Sequence, residues 1–494
     1  MTQTQEVAER YSAARTGFRL LNCEEAALPY FWVTLDALVQ QKKRLPPLHE
    51  YVLKTIHSGL DSIPAIAGIL GIEEHLVERT AADLWERDLL DYPSLGRLGR
   101  SLRLTKEGLV ALEELAFQGP ERRELWIGFD RLLWEPVLIQ RHLLLPPRDL
   151  KNLDLLEIKP RKQARPELPD LDVGAIDKQL KKISRMNGEQ IDVLAIHRVL
   201  RAERMFLPGH LLVYQSKDGK ESEVGIAVDG RSSHAHDDAL AALGGVSHLG
   251  ITVSEPASEK DLAVASALPK KEIEQIRASA VPLESVERLR SKTFSASQQL
   301  EVLQRAEAID SGSVLDSEVL HAEKMVESER QSLEEMAIRE IDTFEHSLLF
   351  GEARKNSRKR LLVISPWIKG QVVNKSFLDE IRRLAKKKVI IRIGYGINDD
   401  RATFEQDRWA ENELLKMSRE FENVVVTKLG DTHAKVLIWD DNLIITSFNW
   451  LSFSGNRNRT YRQERGMLVR VKATADDSWL EHSARIESAS KSPS

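Results

Sequence analysis

Near its C-terminus the chain has two short apolar runs separated by polar residues. Val436–Trp439 and Leu443–Ile445 are rich in strand-forming residues, and Asp440-Asp441-Asn442 between them has the composition of a turn. This pattern predicts a β-hairpin, for which three residues are a common loop length.

The predicted register brings four polar side chains together. With a three-residue loop, His433 would face Asn449 and Lys435 would face Ser447 across the hairpin. Side chains alternate along a strand, so all four would project from one face at one end of the hairpin. Farther along, the same face would carry the apolar side chains of Leu437, Trp439, Leu443 and Ile445. The hairpin is therefore predicted to hold polar groups on a hydrophobic platform.

Ahead of this hairpin, apolar strands alternate with amphipathic helices. Leu361–Ser365 and Val389–Tyr395 have the pattern of buried strands, and Asn374–Lys386 has that of an amphipathic helix. This alternation predicts an α/β sheet covered on both faces, in a domain of residues 351–483. Residues 484–494 are predicted to be a disordered tail.

Residues 1–44 are weakly periodic and are predicted to be helical, whereas residues 45–118 show a more informative order. Three helices, a strand and a fourth helix are predicted there. These elements are Leu48–Ser58, Ser62–Leu70 (followed by a turn at Gly71), Glu73–Leu89, the strand Ser101–Leu104 and a helix from Thr105.

Residues 121–255 are predicted to form an α+β domain of unknown type. Leu211–Ser216 and Glu223–Val228, with a turn at Asp218-Gly219, have the pattern of a hairpin. The following motif His234-x-His236-Asp237-Asp238 has two interpretations: a metal site, or a turn in which one of the aspartates caps a helix.

Residues 256–350 are rich in Glu, Lys, Ala and Ser, and Val319–Phe350 has strongly helical spacing. This stretch is predicted to be a helical connector. It is either a coiled-coil arm that pairs two chains or a pair of helices folded on its own domain. Together, these predicted domains and the connector make the chain a multidomain α/β protein.

The composition limits the classes of function. Cys23 is the only cysteine, so the chain cannot form an internal disulfide or a cysteine-based zinc site. No apolar run reaches the roughly 18 residues needed to span a bilayer, and the N-terminus lacks a signal-peptide layout. We therefore expect a cytoplasmic protein with no membrane partner. The formal net charge of −5 means that affinity for nucleic acid would have to come from local basic patches.

The polar residues of the hairpin suit attack on phosphorus. An imidazole such as His433 can act as a nucleophile, and a lysine such as Lys435 is a point charge for phosphate oxygens. A hydroxyl and an amide, from Ser447 and Asn449, add donors where negative charge develops. The simpler interpretation is a hairpin whose His433 and Lys435 only face solvent.

A longer pattern favours the chemical interpretation. His433-x-Lys435-x4-Asp440 is followed by Thr446-Ser447-x-Asn449. This resembles the HKD signature of the phospholipase D superfamily, which includes lipases, phospholipid synthases and metal-independent nucleases. Leu361–Ile368 and Val389–Gly396 resemble the first two core strands of that superfamily. Gln463-Glu464 resembles its acidic position, whereas Thr446 departs from the usual glycine.

The resemblance implies a mechanism without metal or cofactor. The chain has one copy of the motif, so two chains would form a homodimer with paired hairpins. His433 of one chain would attack phosphorus while His433 of the other protonates the leaving oxygen. Lys435, Ser447 and Asn449 would contact the phosphoryl oxygens, and Glu464 would hold the imidazole. Asp440, at the turn, is more plausible as a structural anchor than as an acid.

Nucleic acid is the expected partner, and the resemblance of residues 45–118 to a winged helix–turn–helix domain indicates DNA. By that resemblance Glu73–Arg79 would face the groove, with Arg79, Arg97 and Arg100 as DNA-binding residues. Such domains also serve as protein–protein modules, which is the alternative here. The best basic patch follows the hairpin and would bind substrate through Arg457, Arg459, Arg462 and Arg465.

These observations favour a nuclease. The sequence around the segments SPWI and SFNWLS also resembles that of nucleases of bacterial phage defence. Two alternatives remain open at this stage. One is a phospholipid-cleaving or phosphatidyl-transferring enzyme, and the other is a non-catalytic DNA-binding scaffold. Further protein partners and a latent activity are both compatible with the extra domains.

Overall fold

The structure, a computed structural model, describes residues 3–91, 101–153, 155–160, 162–187, 191–257, 270–307, 313–396, 405–430, 432–453 and 460–491. The helices of this part are α1 Gln3–Tyr11, α2 Pro47–His57, α3 Ile63–Leu70, α4 Glu74–Glu86, α5 Lys106–Glu114, α6 Pro147–Leu153, α7 Val173–Asn187, α8 His234–Ala242, α9 Lys270–Ser279, α10 Leu283–Glu307, α11 Ser313–Glu334, α12 Thr343–Asn356, α13 Lys375–Lys386, α14 Glu405–Glu420 and α15 Lys472–Lys491. The strands are β1 Phe18–Arg44, β2 Leu90–Asp91, β3 Arg103–Leu104, β4 Ala116–Asp130, β5 Glu135–Val137, β6 Leu156–Glu157, β7 Ile191–Ser216, β8 Ser222–Val228, β9 Arg231–Ser232, β10 Thr252–Val253, β11 Ile338–Ile341, β12 Arg360–Ser365, β13 Ile390–Tyr395, β14 Val424–Lys428, β15 Val436–Trp439, β16 Asn442–Thr446, β17 Thr460–Tyr461 and β18 Gly466–Val469.

The chain is a mixed α/β protein with several sheets, and it divides into two compact units. One unit contains residues 1–28, 153–159 and 208–494, and the other contains residues 29–152 and 160–207. Of the predicted 121–255 domain, residues 153–159 and 208–255 therefore group with the C-terminal part of the chain, and the rest belongs to the other unit. Within the described residues, no helix is long and apolar enough to cross a membrane.

The prediction of helix for residues 1–44 is wrong beyond α1. Phe18–Arg44 forms the strand β1, which pairs antiparallel with β4 from Tyr30↔Asp130 to Arg44↔Ala116. The sequence indicates this strand in part of the stretch, because alternate residues there are apolar and the structure buries them in one core. These residues are Phe31, Val33, Leu35, Ala37 and Val39.

The helices predicted between residues 48 and 114 are confirmed as α2 to α5. Gly71 ends α3 in the left-handed region, with φ of 66°, and Thr105 caps α5 by accepting a hydrogen bond from the Gly108 amide. Ser62 stands at the N-cap position of α3 but makes no side-chain capping bond. Apolar residues of these helices share one core with Leu90. Arg97 and Arg100, which were predicted to bind DNA from this domain, lie outside the described residues.

The predicted hairpin of residues 211–228 is confirmed by the pairing of β7 with β8, with Gly219 at φ of 78° in the turn. The next helix, α8, has Ser233 at its N-cap, so neither predicted aspartate cap is correct. Asp237 instead accepts the Ile226 amide and pairs with Arg15. Among the described residues, no group of three or more His, Cys, Asp or Glu side chains is arranged to hold a metal ion.

The helical connector is more interrupted than predicted. α10 and α11 pack against each other within the chain, which is the helical-pair alternative. The predicted helix Val319–Phe350 is broken after α11 by the strand β11, and α12 then begins at a capping box formed by Asp342 and Glu345. The spacing Ile338-x-x-Ile341 is helical, and the alternating buried positions of the strand are Arg339 and Ile341, so the apolar pattern alone favoured helix there.

A seven-stranded sheet with the order β11-β18-β16-β15-β12-β13-β14 carries the C-terminal motif. β12, β13 and β14 are parallel, and β15 runs antiparallel to β12. Leu361 and Val363 of β12 face a core that includes residues of α12, α13 and α14, whereas Leu362 and Ile364 face a core with residues of α9 and α15. The sheet is therefore covered on both faces, as predicted. The predicted disordered tail is wrong up to Lys491, because Ile486 of α15 is fully buried in the second core.

One buried histidine of α15 gives this unit a pH-dependent stability. His482 is 1% exposed, and both its ring nitrogens are buried with no hydrogen-bond partner in the part of the chain that the structure describes. Burial lowers its pKa to about 4, because the charged imidazolium is poorly solvated in the folded chain. The stability that neutral His482 allows is lost as the pH falls from the ordinary histidine range toward 4.

We therefore expect the free energy of unfolding of the wild type to fall by about 2 kcal/mol more between pH 7 and pH 5 than that of His482→Leu. The leucine fills similar space and does not titrate. Urea denaturation of both proteins at both pH values measures the difference, and equal pH dependence in the two proteins would contradict the prediction.

Candidate active site

The hairpin is present, but its register differs by one residue from the prediction. β15 and β16 pair with Val436 opposite Ile445 and Trp439 opposite Asn442. The turn is therefore Asp440-Asp441, and Asn442 belongs to the second strand. Asp440 takes a φ of 48°, the left-handed conformation that tight hairpin turns require and that aspartate tolerates.

The shifted register removes the single apolar platform. Leu437, Trp439 and Ile444 face one core of the sheet, whereas the other face of the hairpin packs into the second core. That other face consists of Val436, Ile438, Leu443 and Ile445. A slip of one residue exchanges the faces of a strand, and a hairpin that is apolar on both faces gives no pattern to fix the register.

His433 and Lys435 lie in the segment that leads into β15, and Ser447 and Asn449 follow β16. Since Val436 pairs with Ile445, both segments leave the same end of the hairpin. The side chain of His433 is exposed, and within the described part of the chain its imidazole has no hydrogen-bond partner. The Lys435 ammonium donates to the main-chain oxygen of His433 at 3.0 Å.

A buried carboxylate contacts the segment that follows β16. Glu464 is 6% exposed, and it accepts a hydrogen bond from the hydroxyl of Ser447, which is fully buried. Arg462 donates to the same carboxylate from Nε at 2.6 Å and from Nη2 at 3.1 Å. The Ser447 amide also donates to the Arg465 main-chain oxygen at 2.8 Å, which ties the segment after β16 to the segment before β18 that contains Glu464.

The charge of Glu464 is balanced between burial and its neighbours. Burial raises the pKa of this carboxyl group, while Arg462, Ser447 and the Lys435 ammonium act in the opposite direction. Lys435 is therefore close enough to Glu464 to stabilise its charge. Among the described residues, the Glu464 carboxylate accepts hydrogen bonds from Ser447 and Arg462 and none from the His433 imidazole.

Asn449 has an unused polar atom at the site. Its side-chain oxygen is buried and has no hydrogen-bond partner among the described residues. A buried oxygen without a hydrogen-bond donor lowers the stability of the folded chain. A bound ligand or a second chain could supply the missing donor.

Thr446, the departure from the usual glycine, belongs to a buried network that sequence inspection missed. Its hydroxyl oxygen lies 2.7 Å from Nε2 of His346 and accepts the Phe448 amide at 2.9 Å. The His346 Nδ1 faces the main-chain oxygens of Asp342 and Thr343, so Nδ1 carries the proton in the neutral ring. Burial lowers the pKa of His346 to about 4, and the Thr446 hydroxyl also donates to the Arg465 main-chain oxygen at 2.9 Å.

The structure describes only some of the arginines that were predicted to bind DNA or substrate. Arg462 is paired with Glu464, and the Arg465 guanidinium donates to the Ala257 main-chain oxygen at 3.1 Å. Arg79 is exposed on α4. The other members of the two predicted sets lie outside the described residues: Arg97, Arg100, Arg457 and Arg459.

Asp440 has the geometry of an anchor. Its carboxylate accepts hydrogen bonds from the main-chain amides of Arg358, Lys359 and Arg360, at 2.7 Å for the Lys359 amide. The Arg360 side chain also donates to the Asp440 main-chain oxygen at 2.8 Å. These contacts tie the hairpin turn to the start of β12, and they leave the carboxylate occupied by backbone donors.

Comparison with protein-family models and with curated protein sequences gives no match. Among solved structures, similarity is found to Nuc of Salmonella typhimurium, a phospholipase D family member, with 14% identity, 31% of this chain and 95% of that chain covered, and a TM-score of 0.24. NucT from Helicobacter pylori is 12% identical, and the match covers 31% of this chain and 96% of NucT with a TM-score of 0.24. Phosphatidylserine synthase from Haemophilus influenzae is 14% identical, and the match covers 34% of this chain and 46% of the synthase with a TM-score of 0.24. At this level of similarity, function has to follow from the side chains of the site.

The anchoring role of Asp440 predicts a difference between neighbouring turn residues. Asp440→Ala leaves amides at the start of β12 without their acceptor and places alanine at positive φ, so it should cost about 1–3 kcal/mol of stability. Asp441→Ala is the matched control and should change stability by less than about 0.5 kcal/mol. Urea unfolding of the two variants measures both values, and equal effects would contradict the anchoring role.

Proposed function

We propose that this chain is a metal-independent phosphodiesterase, and specifically a nuclease that acts on DNA through a phosphohistidine. The observation that carries the proposal is the arrangement at one end of the hairpin. An exposed imidazole, His433, adjoins a lysine whose charge reaches the buried carboxylate of Glu464. Ser447 and Asn449 follow the partner strand at the same end.

In the first step of the proposed reaction, a ring nitrogen of His433 attacks phosphorus with its lone pair. The N–P bond forms and the bond from phosphorus to the leaving oxygen breaks. Exposure of His433 suits this role, because a side chain without an internal partner can approach a substrate. Lys435 would neutralise a non-bridging oxygen as negative charge develops.

The second half of the site would come from another copy of the chain. The leaving oxygen needs a proton, and the motif with His433 occurs once per chain. In a homodimer with facing hairpins, the partner subunit's His433 would protonate the leaving oxygen. It would then take a proton from water, whose oxygen attacks phosphorus as the N–P bond breaks. The unpaired oxygen of Asn449 is a candidate acceptor for an N–H donor in that assembly.

The roles of Ser447 and Glu464 differ from the sequence-based expectation. The Ser447 hydroxyl donates to Glu464, so its proton is directed toward the carboxylate and away from a phosphate. We propose that Ser447, Arg462 and Glu464 hold the two site segments together and place a negative charge near Lys435. Asp440 would act only through the fold of the turn.

Nucleic acid is the substrate class that the surroundings favour. β12 pairs with β15 at Ile364 opposite Val436, so the loop that leaves β12 passes beside Lys435. Trp367 in that loop is 41% exposed and offers a stacking surface for a base. We also propose that α2 to α5 and the short β2–β3 pair act as a winged helix, in which α4 and its exposed Arg79 would face DNA.

The substrate and the metal requirement are tested together. Purified protein is incubated with plasmid, single-stranded DNA, RNA and phospholipid vesicles, each with EDTA and each beside His433→Ala. We expect DNA cleavage that persists in EDTA and disappears in the variant. Cleavage of phospholipid alone would replace the nuclease by a lipid enzyme, and activity lost on chelation or retained by His433→Ala would contradict the mechanism.

Lys435→Ala should lower kcat about 10²–10³-fold, since a preorganised donor to the transition state is lost. Lys375→Ala, which removes an exposed lysine at the start of α13, is the matched control and should keep the wild-type rate. Steady-state kinetics on the preferred substrate give both values. A Lys435→Ala rate close to that of the control would exclude Lys435 as a phosphate ligand.

A further inference from the structure

The main chain of Glu464 is held by a side chain from a distant helix. Thr343, the first residue of α12, is 2% exposed, and its hydroxyl oxygen accepts the Glu464 amide at 2.9 Å. The two residues are 121 positions apart in the sequence. The Glu464 side chain then reaches Ser447 and Arg462 from a backbone that Thr343 fixes.

The same end of α12 also contacts the other segment of the site. His346, one turn along the helix, lies 2.7 Å from the hydroxyl of Thr446, which directly precedes Ser447. Its ring stacks on Phe448 with the centroids 4.9 Å apart. Thus one helix end contacts the chain on both sides of the Ser447–Glu464 hydrogen bond.

A buried charged cluster fixes this helix end. Asp342 caps α12 through the Thr343 amide at 2.9 Å, and Glu345 accepts the Asp342 amide at 2.7 Å. Arg339 and Arg290 both pair with Glu345, at 2.6 and 2.7 Å. Burial opposes the charge of Glu345, but the two arginines hold its pKa well below the ordinary range. Since Arg290 belongs to α10, the cluster connects the helical pair to the site.

We propose that Thr343 is a positioning residue for Glu464 and that the Arg290–Glu345 cluster holds Thr343 in place. By positioning Glu464, Thr343 would raise kcat without touching substrate. The inference rests on the proposed function, because it concerns the same site. Its distinguishing feature is the hydroxyl oxygen of Thr343, which serine retains and valine lacks.

The test compares Thr343→Val with Thr343→Ser in the full-length chain. Thr427→Val is the control, since Thr427 is a buried threonine of β14, at the opposite edge of the sheet from β11. Hydrogen exchange measured by mass spectrometry reports on peptides that contain the Glu464 amide. Steady-state kinetics on the substrate identified above separate kcat from KM. Thr343→Ala replaces Thr343→Val if the valine variant does not fold.

We expect Thr343→Val to speed exchange at the Glu464 amide and to lower kcat about tenfold to hundredfold with little change in KM, because a small misplacement of a site group has effects of this size. Thr343→Ser and Thr427→Val should behave like the wild type in both measurements.

Unchanged exchange in Thr343→Val, or faster exchange with wild-type kcat, would overturn the inference. A loss of kcat that Thr343→Ser shares in full would also overturn it, because the hydroxyl would then not be the cause. A wild type without phosphodiesterase activity would overturn the proposed function, and the exchange data would still decide whether Thr343 holds Glu464.

Discussion

The pairing of β15 with β16 is the constraint on which the site depends. Both faces of this hairpin are buried between two cores of the sheet, and each buried aliphatic side chain contributes about 1.5–3 kcal/mol through removal from water. The pairing ends at Val436 and Ile445, so the polar segments on either side must leave the sheet together. The fold thereby brings the segment with the exposed His433 to the same end of the hairpin as Ser447, which donates to the buried Glu464.

The second constraint is the hydrogen bond from Ser447 to Glu464. It joins the segment after β16 to the segment before β18, and Arg462 opposes the rise in the pKa of Glu464 that burial causes. α12 contacts both sides of this bond: Thr343 accepts the Glu464 amide, and His346 lies beside the Thr446 hydroxyl. The site is therefore supported by long-range contacts as well as by the hairpin itself.

The sequence predicted the elements of the sheet better than their register. Strongly apolar strands such as β12 and β15 were recognisable, but a hairpin that is apolar on both faces fits two registers equally well. β1 was missed although alternate residues from Phe31 to Val39 are buried, because the segment before Pro29 does not alternate in the same way. The roles of Thr343 and His346 were not predictable, because their partners lie 121 and 100 positions away and no local pattern marks them.

The most direct test of this account is to trap the covalent intermediate. A radiolabelled DNA substrate is mixed with enzyme, the reaction is quenched with base within milliseconds, and the labelled peptide is sequenced by mass spectrometry. A phosphoryl group on His433 is the result that the account requires. Label on any other side chain, or complete turnover with no labelled protein at any quench time, would contradict it.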